Sequence, residues 1–151
     1  MLPANQIHCI IFTNVISRDG LMKTKDLIDY WVKTSDNDYN TMLNLFSSKD
    51  YHWSLFIGHL VIEKLLKAIY VKQVDDNPPR VHDLLRLTER AGLDTTEEQK
   101  DILDLITTFN INVRYPDYKQ IFYNKCDYDF TAKNLKKIKE LRTWLLSIVE
   151  K

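Results

Sequence analysis

The segment Tyr51–Val74, YHWSLFIGHLVIEKLLKAIYVKQV, constrains the fold of this chain most strongly. It contains no proline and one glycine, and apolar residues recur around most of its helical circumference. Because a surface helix carries its apolar residues on one face only, this pattern predicts the central helix of an all-helical domain. Its polar residues share one helical face, at steps of seven, four and four: His52, His59, Glu63 and Lys67. We expect a functional site to lie along this line.

The composition excludes several other classes of protein. At 151 residues the chain is long enough for one domain with a substantial core. It has 3 glycines and 4 prolines, too few for a turn-rich β fold. A formal net charge of zero gives no bulk attraction to nucleic acid or to a membrane. Two cysteines without an export signal favour a reducing, cytoplasmic location.

The first 21 residues differ in character from the rest of the chain. Ile7–Ile16 is apolar but too short to span a bilayer, and no basic segment precedes it as in a signal peptide. It fits a short strand or a packed arm. Met22 opens the helical part directly afterwards. We therefore expect residues 1–21 to form a leader and residues 22–151 to form the domain, with Met22 as a candidate functional start.

Helical periodicity predicts a helix before the central one and a short helix after it. The first runs from about Thr24, as its N-cap, to Phe46, antiparallel to the central helix. A double-proline connector follows the central helix. The short helix then begins at His82 or Asp83 and ends with Gly92 in the C′ position.

Two more helices complete the predicted bundle. Thr96 and Gln99 form a capping-box signature, and Pro116 ends the helix that they begin. The segment KQIFYNKCDYD then predicts an irregular loop, and Asp129 is the expected N-cap of the last helix. Three aromatic residues of that loop are expected to cover the bundle: Phe122, Tyr123 and Tyr128.

Four short motifs follow one another along the helical part. They are Trp31 with Ser35 and Asp38; Glu63-Lys64-Leu65-Leu66-Lys67-Ala68; His82-Asp83-Leu84; and Arg114-Tyr115-Pro116-Asp117. In this order, from about Lys25 to Ile148, the chain resembles the HEPN domain family, helical domains found in prokaryotes beside small nucleotidyltransferases. The resemblance implies an all-α, antiparallel up-down bundle of four or five helices, often a homodimer. It also implies binding of nucleotides, nucleic acid or a nucleotidyltransferase partner.

Many HEPN proteins are ribonucleases, marked by an arginine and a histidine separated by four to six residues. The histidine transfers protons near neutral pH, and the arginine holds the scissile phosphate. The corresponding positions after Arg114 hold Lys119, Gln120 and Ile121, and no other arginine has a histidine at that spacing. The resemblance is therefore to an RYPD-type branch that lacks the usual RNase signature.

The residues and the resemblance together indicate a groove that binds a nucleotide or RNA phosphate. Its candidate ligand-binding residues are Lys67, His82, Arg114 and Tyr115, with Asp38 and Glu63 orienting the cations. Lys67 and Glu63 are also compatible with an ordinary ion pair one helical turn apart. His59 and Glu63 share the i,i+4 spacing of two metal ligands, but no third ligand is evident, so we expect no metal and no cofactor.

Simpler roles remain open for the other candidates. Arg114 could pair with Asp38 or bind carbonyl groups at a helix C-terminus. Tyr115 is either a core residue or a stacking face for a base. His82 is either a neighbour of a helix cap or a phosphate contact at a helix N-terminus.

Three functions are compatible with this sequence. The first is a non-catalytic module that binds a nucleotide or RNA and acts with a nucleotidyltransferase, as toxin and antitoxin or as its substrate-binding subunit. The second is an RNA-cleaving toxin with a non-standard pair such as His82 and Arg114. The third is a dimerisation module whose polar line seals the interface. No membrane partner is expected.

Overall fold

The computed structural model describes residues 23–151, which form six helices and no strand. The helices are α1 (Thr24–Ser47), α2 (Tyr51–Gln73), α3 (Leu84–Arg90), α4 (Glu97–Arg114), α5 (Pro116–Lys125) and α6 (Tyr128–Glu150). The four long ones, α1, α2, α4 and α6, form the predicted all-α bundle. The expectations for a leader and for a start at Met22 lie outside the described residues.

Helix α2 is the centre of the bundle, as its apolar sequence predicts. About half of its residues are buried, and it packs against each of the other five helices. Its closest approach is to α6 at Gly58, where an added Cβ would lie 2.5 Å from Cδ1 of Ile138. Lys72 donates to the carbonyl groups of Ile148 and Val149 at the end of α6, at 3.0 and 2.8 Å. These contacts show that α2 and α6 run in the same direction.

Two buried serines fix the register of α1 against α2. Ser35 donates to the carbonyl of Val61 at 2.9 Å, and Ser54 donates to the carbonyl of Met42 at 2.8 Å. Each hydroxyl therefore finds its acceptor on the neighbouring helix, which satisfies a polar group that would be costly to bury unpaired. The two contacts confirm the predicted antiparallel pairing of the first two helices.

Most of the local signals for helix ends are confirmed, including Asp83 as the N-cap of α3 and the end of α4 before Pro116, whereas those at Thr24 and Asp129 are wrong. Thr96 and Gln99 form the capping box at the start of α4. Gly92 follows α3 with a φ of 74°, a left-handed conformation that glycine adopts without steric cost. Thr24, however, is the first helical residue, and the preceding Lys23 makes no side-chain cap. The α6 cap is Asp127, not Asp129, because its carboxylate accepts from the amide of Phe130 at 2.8 Å.

The predicted loop after Pro116 is wrong, because residues 116–125 form α5. A proline ends a helix that precedes it, but it suits the first position of a new helix, where its missing N–H is not needed. Phe122 anchors α5 by stacking on Phe109 of α4 at 5.7 Å between ring centroids. Of the three aromatics expected to cover the bundle, only Phe122 is buried, and Tyr123 and Tyr128 are more than half exposed.

Candidate functional site

A chain of polar contacts joins α2, α4 and the segment before α3. Asn110 Nδ2 lies 3.2 Å from His59 Nδ1, and His59 Nε2 lies 2.8 Å from the carbonyl oxygen of His82. The His82 ring then turns back to α2, where its Nδ1 lies 2.7 Å from Oε1 of Glu63. The other oxygen of Glu63 lies 3.4 Å from Nζ of Lys67. Five side chains from three parts of the chain are thus brought together.

His59 lies fully buried in the middle of this chain. A carbonyl oxygen only accepts, so Nε2 of His59 must carry the proton, and Nδ1 is then free to accept from the Asn110 amide. This tautomer is neutral. Burial lowers the pKa of His59, and the positive charge of Arg114 acts in the same direction. His59 is therefore a fixed structural link that holds the backbone of His82 in place.

His82 is the outer member of the chain of contacts. Its Nδ1–H donates to the carboxylate of Glu63, which can only accept, and this hydrogen bond fixes the orientation of the ring. The side chain is 55% exposed, and its Nε2 has no hydrogen-bond partner within residues 23–151. An imidazole that is oriented on one side, more than half exposed, and unpaired at its second nitrogen within the described residues is suited to binding an anion or to transferring a proton.

Lys67 is less available than its sequence suggested. Its side chain is only 12% exposed, its ammonium pairs with Glu63, and it lies 5.3 Å from the ring centroid of Trp31. The ordinary ion pair between Lys67 and Glu63 is therefore present. Glu63 itself, whose side chain is 7% exposed, holds a cation on one side and an imidazole on the other.

Asp38 lies apart from the other candidates. Its carboxylate pairs with Lys64 at 2.6 Å, so it orients a cation that was not among the predicted site residues. The alternative in which Arg114 pairs with Asp38 is wrong. Arg114 makes no ion pair with any residue from 23 to 151, and its guanidinium lies 5.9 Å from the ring centroid of Phe56.

Arg114 and Tyr115 lie on the same side of α2 as His82, but toward the N-terminal end of that helix. We call the side of α2 between His82 and Arg114 the edge. Asn110 and Arg114 are one turn apart on α4, so both face α2. On α2, Phe56 is the neighbour of Arg114 and Glu63 is the neighbour of His82. These two α2 residues are seven positions apart, or about 10 Å along the helix. Tyr115 is 56% exposed, so its alternative role as a core residue is wrong. The site is therefore an edge with His82 at one end and Arg114 with Tyr115 at the other.

Sequence reasoning missed Asn110, and it placed His59 on the polar line of α2 without including it among the candidate site residues. The available signal was the i,i+4 spacing of His59 and Glu63, which predicted a shared face but suggested only a metal pair. Within residues 23–151, no cluster of histidine, cysteine and acidic residues is arranged to bind a metal. The contact that matters, between His59 and Asn110, joins residues 51 positions apart and left no local pattern.

The fold and the site define an all-helical bundle with one polar edge along its central helix. The chain belongs to the HEPN domain family, whose model matches residues 28–149. This family has nucleotide- and RNA-related functions. Comparisons with curated proteins and with solved structures each give no significant match. None of the helices between residues 23 and 151 is long and apolar enough to cross a membrane.

Proposed function

We propose that this HEPN domain binds the phosphate of a nucleotide or of RNA at the edge between His82 and Arg114. The observation that carries the proposal is the 2.7 Å contact between Glu63 and His82. It fixes the imidazole and leaves Nε2 directed away from its carboxylate partner. Tyr115 stands beside Arg114 and offers a ring to the base or sugar of the same ligand.

The two ends of the edge differ in how they attract an anion. The Arg114 guanidinium is permanently charged and unpaired within residues 23–151, and its planar fork suits two phosphate oxygens. With Nδ1 donating to Glu63, Nε2 of His82 is an acceptor in the neutral ring and a donor in the protonated one. A phosphate oxygen only accepts, so the ring binds it as a donor through Nε2. Lys67 acts through Glu63 and does not contact the ligand.

A small nucleotidyltransferase is the protein partner that we propose, either as the antitoxin or as the catalytic subunit that this domain serves. Support comes from the family, whose functions concern nucleotides and RNA. We place the pair in the cytoplasm, where the buried free thiol of Cys126 would stay reduced. The active unit that we propose is a homodimer.

RNA cleavage is the second candidate, and the same contact favours it. A histidine oriented by a carboxylate, with its second nitrogen exposed, is a common general base. Cleavage would require His82 and Arg114 to reach one phosphate, within about 3 Å of a shared oxygen or through one water. They lie on the same edge, but their neighbours on α2 are about 10 Å apart, so binding is the better supported function. A role in dimerisation alone is less well supported, because Glu63 and Lys67 pair within the chain.

Binding measurements with matched variants test the proposal. The protein is titrated with AMP, ATP and a single-stranded RNA of about eight nucleotides, with and without His82→Gln or Arg114→Gln. We expect each substitution to weaken binding by about tenfold or more, because a charge-assisted hydrogen bond contributes about 1.5–3 kcal/mol. Arg90→Gln is the control, because Arg90 is an exposed arginine of α3 outside the site.

The proposal is wrong if no phosphate ligand binds, or if Arg90→Gln weakens binding as much as Arg114→Gln. Incubation of labelled RNA with the wild type separates the two candidates. Products ending in a cyclic phosphate that disappear in His82→Gln would establish cleavage. Co-purification with a nucleotidyltransferase encoded beside this chain tests the proposed partner.

A further inference from the structure

Helix α4 holds the backbone before α3 at two points, one on each side of position 83. The amide of Leu84, the first residue of α3, donates to Oγ1 of Thr107 at 3.1 Å. On the other side, the carbonyl oxygen of His82 accepts from His59, whose Nδ1 in turn accepts from Asn110 of α4. The direction of the chain at His82 is therefore set by α4, directly through Thr107 and indirectly through Asn110.

The connector before His82 gives its ring little support. It contains two prolines, which have no amide hydrogen to donate. Residues 77–81 make no hydrogen bond with any of the six helices between residues 24 and 150. The position of His82 therefore depends on Glu63, which holds its ring, and on the backbone contacts that follow it in the sequence.

Thr107 is one of two adjacent threonines on α4, and only this one reaches α3. Its hydroxyl donates to the carbonyl of Leu103 at 2.9 Å, so its lone pairs stay available to the amide of Leu84. Thr108 makes the same kind of bond within α4, to Leu105 at 2.6 Å, but it is exposed and accepts no hydrogen bond within residues 23–151. The first amides of a helix have no partner inside it. Because Leu84 is fully buried, Thr107 supplies an acceptor that α3 needs.

The contacts of α4 reach both ends of the edge. Thr107, Asn110 and Arg114 follow one another along one side of α4, at steps of three and four. Thr107 lies next to α3, and Arg114 lies next to Phe56 of α2. These two α4 residues are seven positions apart, or about 10 Å along the helix. One helix therefore fixes where His82 stands relative to Arg114.

We propose that Thr107 is a positioning residue of this edge. Its hydrogen bond to Leu84 holds the backbone where the ring of His82 reaches Glu63, so that Nε2 is presented to the ligand. Thr107 does not contact the ligand itself. The inference rests on the proposed function, because the orientation of His82 affects binding only if a phosphate binds there.

Matched threonine variants test the proposal through the Kd for AMP. Thr107→Val keeps the shape of the side chain and removes the acceptor. We expect its Kd to rise by about 2- to 10-fold, the equivalent of one neutral hydrogen bond. Thr107→Ser restores the hydroxyl and should bind within about twofold of the wild type. Thr108→Val is the control, because it removes the same kind of bond within α4 and leaves the contact with Leu84 intact. Circular dichroism and urea unfolding record the fold and the stability of each variant.

The ring nitrogens of His82 report its orientation without any ligand. In the wild type Glu63 holds the ring proton on Nδ1. Under mildly alkaline conditions, where an ordinary imidazole is neutral, nitrogen NMR should therefore show two widely separated signals. A ring released from Glu63 exchanges its proton between the two nitrogens, and the signals then move toward each other. We expect this change in Thr107→Val and not in Thr107→Ser or Thr108→Val.

The outcomes separate this inference from the proposed function. If AMP binding depends on His82 while Thr107→Val changes neither the Kd nor the ring signals, the inference is overturned and the proposed function stands. The same holds if Thr107→Val only lowers stability, or if Thr108→Val has an equal effect on the Kd. If the wild type binds no AMP but Thr107→Val alters the ring signals, the positioning by Thr107 is supported and the proposed function is overturned.

Amide exchange in the wild type provides a measurement that does not depend on any variant folding. The hydrogen bond to Thr107 should make the amide of Leu84 exchange slowly with solvent. Exchange as fast as in an unstructured peptide would overturn the inference.

Discussion

Replacing Glu63 should destabilise the bundle, and the loss should depend on Lys67. Glu63→Gln keeps the shape of the side chain and an oxygen for His82, but it sets an amide against a lysine that is only 12% exposed. Removing one member of a buried ion pair costs about 3–5 kcal/mol. In the variant the ammonium of Lys67 would still contact some water and the ring of Trp31, which offset part of this cost. We therefore expect about 2–3 kcal/mol of lost stability.

A double-mutant cycle tests this reasoning. Lys67→Met removes the cation while keeping the apolar part of the side chain, and replacing both members of a buried pair is often nearly neutral. The double variant Glu63→Gln with Lys67→Met should therefore be more stable than Glu63→Gln alone by at least about 1 kcal/mol. The assay is urea unfolding followed by circular dichroism, with equal m-values required for the comparison. Simply additive effects of the two substitutions would refute the buried pair.

Two further predictions concern α2. Burial lowers the pKa of His59 below its ordinary 6.5, so the unfolded chain binds more protons and the free energy of unfolding should fall as the pH drops below about 6.5. Urea unfolding across this range should show a smaller fall in the free energy of unfolding for His59→Gln than for the wild type. The variant His52→Gln serves for comparison, because burial also lowers the pKa of His52. An unchanged pH dependence in His59→Gln would contradict a buried, neutral His59. Gly58→Ala places a Cβ 2.5 Å from Cδ1 of Ile138 and should lower stability by about 1–2 kcal/mol. Adding Ile138→Val to this variant removes Cδ1 and should recover part of the lost stability. If the double variant is less stable still, the close approach of α2 and α6 is not the cause of the loss in Gly58→Ala.

The fold was predictable where local chemistry decides it. The apolar circumference of α2 predicts a central position, since such a helix has no face that prefers water. The capping box at Thr96 and the glycine at position 92 also act through neighbouring residues, and both are confirmed. Helix α5 was missed because Pro116 ends one helix and begins the next. Whether the chain resumes a helix there depends on the packing of Phe122 on Phe109, which no local pattern contains.

The site was predictable only in part, for the same reason. Its residue types were visible, because Glu63, His82 and Arg114 stand in the family motifs. Which of them meet was not visible, since the contact between Glu63 and His82 spans 19 residues and the proline connector. The i,i+4 spacing allowed the ion pair between Lys67 and Glu63, but it did not show that both side chains are largely buried. Pairing and burial, which decide the availability of a cation, are properties of the packed bundle.

The central claim is that His82, oriented by Glu63, contacts a phosphate of a ligand that is bound along the edge between His82 and Arg114. The most direct test is NMR of the isotope-labelled imidazole nitrogens during titration with a single-stranded RNA. We predict a saturable shift at Nε2 of His82, a smaller change at its Nδ1, and no shift in the Arg114→Gln variant at the same ligand concentration. Saturable RNA binding that leaves both nitrogens of His82 unchanged would contradict the claim.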